Sequence, residues 1–249
     1  MHTNSLLALL SATILPLTTV ISNPILPRAP VPPAPADPPK PATGDGIGPY
    51  DSQKASIGDR LDKAKFYGVA IAAGEIGLTD AERGLRHYLG NSGDDLDVSP
   101  ESMMNGLPEF RAAVKATAQN EATKAYKSIS GTSGEKAFAS GWEGFYATKD
   151  MSWNWFFAIG GFSYAVTGVV TKGGGGSLKY VVHVFDRYNW DAGKSVDIGP
   201  IHFEDKDLGK LHLVGLAREY TVRGSGKVNE VEKFRPETVI PPPSTGGRG

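Results

Sequence analysis

Trp153-Asn154-Trp155-Phe156-Phe157-Ala158-Ile159-Gly160-Gly161 opens the stretch on which the reading of this chain turns. Two runs rich in β-branched and aromatic residues follow, Phe162–Thr171 and Leu178–Phe185, separated by Gly173-Gly174-Gly175-Gly176. Alternation bounded by glycine predicts strands. The expectation is therefore a strand over Trp153–Ile159, a second after the Gly160-Gly161 junction, and a third across a loose glycine hairpin. The last run ends in polar residues: His183-Val184-Phe185-Asp186-Arg187-Tyr188-Asn189-Trp190-Asp191.

Upstream, the period changes from two to that of a helix. Asp51 or Ser52 is placed to cap a helix running to about Gly74, with Ile57, Leu61, Ala64, Gly68 and Ile71 on one expected buried face. Thr79-Asp80-Ala81-Glu82 has the capping-box pattern and starts a second helix, with Ala81, Leu85, Tyr88 and Leu89 as its stripe and Gly90 at its end. Ser99-Pro100 opens a short helix, because proline at the first helical position loses only a donor that had no partner. Pro108 opens a longer one to about Lys127, burying Phe110, Ala113, Val114, Thr117 and Ala118. Downstream of the glycine hairpin, Ser195–Phe203 reads as a strand, Asp205 caps a helix carrying Leu208, Leu211, His212 and Leu216, and Arg218–Arg223 reads as the last strand. Helices first and sheet afterwards indicate an α+β fold. The expected architecture is N-terminal helices followed by a mostly antiparallel, strongly curved sheet or half-barrel with one inserted helix.

Composition bounds the rest. The chain has 249 residues, 26 Lys and Arg against 27 Asp and Glu, and no cysteine. Near-neutral charge gives no basic field for nucleic acid, and disulfides and thiolate chemistry are excluded. Leu6–Leu17 is an apolar run of signal-peptide length, with Ser22 at an expected cleavage site, so residues 1–22 read as a signal peptide and the mature protein as secreted, without a transmembrane span. The positively charged leader usual before such a run is missing. Residues 23–50 are proline-rich and read as an extended linker or pro-segment. Residues 51–235 form the expected single globular domain, helical over 51–127 and β-rich over 136–225. Residues 236–249, with Pro241-Pro242-Pro243 and a glycine-rich end, read as a disordered tail.

The polar cluster is the candidate site. Alternate residues of a strand share a face, so Leu178, Tyr180, Val182 and Val184 are continued by Asp186 and Tyr188, while His183, Phe185, Arg187 and Asn189 lie opposite. A carboxylate and a phenol then project together beyond an apolar face, a place suited to a general base or an oxygen metal ligand. The same residues also fit an edge turn in which Asp186 caps a backbone group and pairs with Arg187 or Lys194. His183, His202 and His212 have no metal-type spacing, and His212 falls on an apolar stripe as a core residue. No Gly-x-Ser-x-Gly elbow is present, and the glycine loop lacks the Lys-Ser/Thr and helix of a phosphate loop. Trp153, Trp155, Phe156, Phe157 and Phe162 fit either sheet core or a lipid- or ligand-facing patch.

Three segments resemble the catalytic domain of colicin M and related bacteriocins. Arg86-His87-Tyr88-Leu89-Gly90-Asn91-Ser92-Gly93 is similar to that family's helix-to-loop segment. Tyr164-Ala165-Val166-Thr167-Gly168 resembles its strand bearing Tyr and Thr-Gly, and Asp186-Arg187-Tyr188-Asn189-Trp190-Asp191 resembles its Asp-x-Tyr-Asp motif. Order and rough spacing agree from Leu85 to Gly226. The resemblance implies a secreted, toxin-like hydrolase acting on lipid II, the polyprenyl-pyrophosphate precursor of the bacterial cell wall, with a divalent cation such as Mg2+. Asp186 matches the essential first aspartate, as base or metal ligand, and Tyr188 the tyrosine. With them Arg187 is expected to orient phosphate, and Asn189, Trp190, Lys194 and Arg218 to contact substrate. Two departures stand out. Asn189 replaces the second aspartate, and Ala192-Gly193-Lys194-Ser195 occupies the place of a His-Arg pair, which removes a proton-transfer group and a phosphate clamp. The alternative is a non-catalytic binding or effector domain on the same scaffold.

Overall fold

A computed structural model describes residues 29–40, 46–190, 195–198 and 201–246. The expected signal peptide therefore lies outside the described residues. The order is α1 (Ile57–Glu75), α2 (Thr79–Gly90), β1 (Leu96–Asp97), α3 (Pro100–Gly106), α4 (Pro108–Ser128), β2 (Gly134–Ala139), β3 (Glu143–Tyr146), α5 (Trp153–Ala158), β4 (Gly161–Lys172), β5 (Ser177–Tyr188), β6 (Ser195–Ile198), β7 (Ile201–Glu204), α6 (Asp205–Leu213), β8 (Tyr220–Ser225) and β9 (Asn229–Glu232). The fold is α+β, as the segregation of periods indicates.

The glycine hairpin forms the middle of an open seven-stranded sheet. β4 and β5 pair antiparallel, with Val166 opposite Val182 and Tyr164 opposite Val184. Each long strand then shares its outer edge between two short ones. β4 pairs with β3 along its first residues and β2 along its last, while β5 pairs with β9 early and β8 late. β1 joins β8 in parallel and closes the order β1-β8-β5-β4-β2. The Ser195–Phe203 expectation resolves into a separate hairpin of β6 and β7. Gly168 is needed for close approach: a Cβ there would collide with the ring of Phe138, its partner on β2.

The inner face of the hairpin, Tyr164, Val166, Val170, Tyr180, Val182 and Val184, packs on α3, α4 and α5. α4 buries Phe110, Val114, Thr117 and Ala118, as its spacing predicts. Phe110 meets Phe162 and Tyr164 edge-on at 5.0 and 5.3 Å. A second cluster joins α1, α2 and α6 to the ends of β5 and β8 through Phe66, Tyr88, Leu89, Tyr188, Leu211 and Tyr220.

Four expectations change. Trp153–Ala158 is a helix, so two helices, not one, interrupt the strands. The Ser152 hydroxyl caps it, accepting from Trp155 N at 3.3 Å, and Gly160, at φ +59°, ends it. Six residues with aromatics at both spacings satisfy either period, and the cap decides. α1 starts at Ile57 with Ser56 and Asp59 as a capping box, not at Asp51 or Ser52, and it buries the opposite face: Phe66, Val69, Ala70 and Ala73. Ile57, Leu61 and Ile71 are exposed. Both stripes are apolar at helical spacing, and the one that carries the aromatic Phe66 faces the core. α2 starts at Thr79 without the expected side-chain capping box. Its free N–H groups are met from α5 instead, Asn154 Oδ1 accepting from Asp80 N at 2.9 Å and Ala81 N at 3.2 Å.

The fourth change concerns the ends. Beyond Pro236 the chain follows α4: Ile240 N donates to Gln119 Oε1 at 2.9 Å, Arg111 Nε donates to the Pro243 carbonyl at 2.8 Å, and Ile240 is fully buried. The tail read as disordered is a core element through these residues. Residues 29–40 likewise lie against the sheet, on the face away from the helices. Ile240→Ala is expected to cost about 2–5 kcal/mol, read as a lower urea midpoint. A tail without fixed contacts would give no change.

Candidate functional site

Asp186 and Tyr188 do point the same way. Alternation along β5 carries both beyond Val184 to the wall of a cavity of 480 Å3 lined by α1, α2, α5, α6 and the end of β5. The lining is mainly apolar: Phe66, Val69, Leu78, Phe156, Phe157 and Leu208 are typical of it. Asp186, Asn189, Trp190 and Asp205 bring the polar chemistry. The alternation that buries Val182 and Val184 thus ends in a half-buried carboxylate as the strand leaves the core.

Tyr188 is packed rather than free to turn. Its ring stacks on Tyr220 at 4.6 Å with 14° between planes, and Trp190 meets it edge-on at 5.7 Å. Behind it Tyr88 lies at 5.9 Å and donates from its hydroxyl to the Leu208 carbonyl at 2.8 Å. Tyr220 donates to the Gly84 carbonyl at 2.9 Å. Gly84 lets the rings come close: a Cβ there would lie 3.2 Å from the Tyr220 hydroxyl and 3.3 Å from the Tyr188 ring, so they would have to give way by a few tenths of an ångström. The His87-Tyr88-Leu89 segment and the Asp186–Trp190 segment are therefore joined through aromatic packing.

Electrostatics fix the roles. Burial holds the Tyr188 phenol well above its ordinary pKa, and the charges of Asp186 and Asp205 push in the same direction. Tyr220 is raised by burial, then by Tyr188 and Asp186. Tyr88 is raised by burial, then by Glu219 and Tyr188. These phenols stay protonated at neutral pH, so Tyr188 can donate a hydrogen bond but is no base. Asp186 and Asp205 both act on the same phenol, which sets two carboxylates on one wall. Mg2+ asks for one or two carboxylates together with water and phosphate oxygens, and this donor set fits it. Among the described residues, no group of three or more His, Asp or Glu side chains is placed to hold a metal ion. The Trp190 Nε1 hydrogen is buried without an acceptor, a donor that costs about 1–3 kcal/mol until something accepts it.

The other expected site residues disperse. Part of Arg187 lines the cavity, but its guanidinium turns to the opposite sheet face, donating to the Pro38 carbonyl at 2.7 Å and lying 5.0 Å over the Phe185 ring. Arg218 is remote from the cavity lining, 4.8 Å over Tyr50. Lys194 lies outside the described residues. His212 is a core residue as read, accepting from Glu219 N at Nδ1, 3.2 Å away. Tyr164, Thr167 and Gly168 lie away from the cavity lining: Tyr164 donates to Glu143 at 2.8 Å, and the other two hold the sheet. The sequence marks Asp205 only as a helix-start residue, and its place in the same cavity lining as Asp186 comes from bringing distant segments together.

No protein-family model matches the chain, and no curated protein does. Among solved structures it is similar to PaeM, a colicin M-like bacteriocin produced by Pseudomonas aeruginosa. The two are 14% identical, the match covers 61% of this chain and 50% of that one, and the TM-score is 0.30. This chain thus spans half the length of that protein. Such a likeness is distant and says nothing about the cavity residues. Among the described residues, no helix is long and apolar enough to cross a membrane.

The buried phenols make a prediction. Their folded pKa values exceed the unfolded value of about 10, so the neutral form is favoured in the fold. That stabilisation is complete below about pH 10 and is lost as pH rises toward the folded values. Tyrosinate absorbance should show Tyr88, Tyr188 and Tyr220, of the nine tyrosines, ionising only with unfolding. Tyr188→Phe should lessen the alkaline loss of stability.

Proposed function

We infer that the cavity binds the polyprenyl-pyrophosphate part of a lipid II-type molecule and hydrolyses the linkage between its prenyl and pyrophosphoryl parts. One observation carries this reading: an apolar cavity of 480 Å3 has the Asp186 and Asp205 carboxylates in its wall. An isoprenoid chain suits the lining of Phe66, Val69, Leu78 and Phe157, since burial of apolar surface favours it by about 25 cal/mol per Å2. The charged head would then meet Asp186, Asp205, Asn189 and Trp190. Two carboxylates repel a bare pyrophosphate, so a divalent cation is part of the proposal, held by Asp186 and Asp205. When bound, Mg2+ would neutralise phosphate charge. Asp186 orients and deprotonates the attacking water or holds the ion. Trp190 Nε1 donates to a head-group oxygen, and the protonated Tyr188 supports the wall. Arg187 has no phosphate-orienting role in this arrangement, because its guanidinium is on the other face. The leader expected over residues 1–22 would export the chain as a toxin-like secreted protein.

A second reading is favoured by a different observation. Among the described residues no histidine lines the cavity, and Asn189 stands where the resemblance expects an aspartate. Proton transfer then falls to the carboxylates Asp186 and Asp205, and without an imidazole a binding or effector domain that holds the lipid without cleaving it follows.

Incubation with lipid II and Mg2+ separates the two. Hydrolysis releases pyrophosphoryl-disaccharide peptide, and Asp186→Ala should lower the rate about a hundredfold to ten-thousandfold with the urea midpoint retained. Saturable lipid binding without release, in wild type as in D186A, leaves the binding reading. Neither binding nor release, beside a working positive control, rejects both.

A further inference from the structure

Helices cover one face of β4 and β5, yet the other face is buried too: Ala165, Thr167, Val169, His183 and Phe185 are all nearly inaccessible. Residues 29–40 cover it. Pro30, Pro32, Pro33, Pro35, Pro38 and Pro39 restrict themselves and their predecessors to extended conformations. Such a segment has few N–H groups but a regular row of free carbonyls.

The sheet reads that row. Thr167 Oγ1 donates to the Pro32 carbonyl, Trp142 Nε1 to that of Ala36, and Arg187 to that of Pro38, each at 2.7 Å. At one end Ala29 N donates to Glu135 at 2.9 Å. At the other, Arg223 grips the Asp37 carboxylate through two N–H groups at 2.5 and 2.8 Å. Phe185 forms the floor, with Trp142 tilted against it at 5.8 Å and Arg223 5.3 Å above it. Aromatic floor, side-chain donors to proline-flanked carbonyls and a cation for one acidic residue are the elements by which polyproline II ligands are recognised.

A buried network aims one of these donors. Thr167 has a single hydroxyl hydrogen, spent on Pro32. Its oxygen therefore accepts from His183 Nε2 at 2.9 Å, which leaves His183 Nδ1 to accept from Ser225 Oγ at 2.8 Å. Burial lowers the His183 pKa and keeps the ring neutral, as this chain of donors requires. Nor does the segment fill its groove. A cavity of 580 Å3 remains beneath Ala29–Ala34, walled by Lys179, Val181, His183, Ser225, Val228 and Glu230. A ligand with larger side chains at those positions has room.

We propose that this second sheet face is a recognition groove for an extended, proline-rich segment carrying a carboxylate, occupied in cis by residues 29–40 and open to a segment of the same chemistry from a partner polypeptide. It is independent of the lipid cavity: Asp186 serves one face of β5 and Arg187 the other.

The test uses the full chain and a synthetic peptide of residues 29–40 with a nitroxide at its N-terminus. The Trp142 indole N–H resonance, assigned by Trp142→Phe, is the readout. The tethered segment competes at an effective concentration of about 1 mM, so peptide in that range should broaden the wild-type resonance. Pro32→Gly with Asp37→Ala loosens the tethered copy without touching the groove, and should raise peptide affinity at least about tenfold. Arg223→Ala added to that variant should reverse the gain. A proline-free peptide of otherwise similar composition should do nothing. Equal broadening by that control overturns the proposal. So does the absence of both wild-type broadening and any gain in the folded double variant. If the double variant does not fold, the wild-type measurement decides alone.

Discussion

Burial of the β4–β5 hairpin on both faces is the constraint from which the rest of the architecture follows. An antiparallel sheet ordinarily leaves one face to water. Here Val166 and Val182 require a lid on one side, and Ala165, Val169 and Phe185 require another. The helices supply the first. The second comes from a segment that forms neither helix nor strand, because proline removes the donors either would need. A segment with few donors is held largely through its carbonyls, and Thr167, Trp142 and Arg187 are donors suited to that task.

The end of β5 turns the two-faced arrangement into chemistry. Asp186 and Arg187 are neighbours in the chain, yet they serve different surfaces. The carboxylate enters an apolar cavity, where its charge acts on Tyr188 and Tyr220. The guanidinium enters a groove for backbone carbonyls. Aromatic packing of Tyr88, Tyr188, Tyr220 and Trp190 fixes the carboxylate's side, and Gly84 is the small residue that makes room for it.

Much of this was legible in the sequence. β4, β5, α3 and α4 follow from period and capping residues, and the shared direction of Asp186 and Tyr188 follows from alternation alone. Alternation also places Arg187 on the opposite face, which a motif-based role for it overlooks. Where the reading failed, two solutions were equal in sequence. α1 has two apolar stripes, and only the tertiary packing of Phe66 and Val69 with α2, α6 and the end of β5 selects one. Trp153–Ala158 fits helix and strand until Ser152 caps it. The proline-rich ends have few donors with which to pack, and the side chains that bind their carbonyls lie more than a hundred positions away. Asp205 became part of the site only through folding, since nothing near it in the chain points to Asp186.

The carbonyl-held segment also sets an order of events. Its ties reach across 106 positions to Glu135 and 186 positions to Arg223. It is the earliest part of the described chain to leave the ribosome, and its resting place is among the last to exist. Until β8 has joined β5 there is no Arg223 beside Phe185 for Asp37 to find. Docking of these residues therefore presupposes the finished sheet, and a domain whose sheet is incomplete has nowhere to hold them.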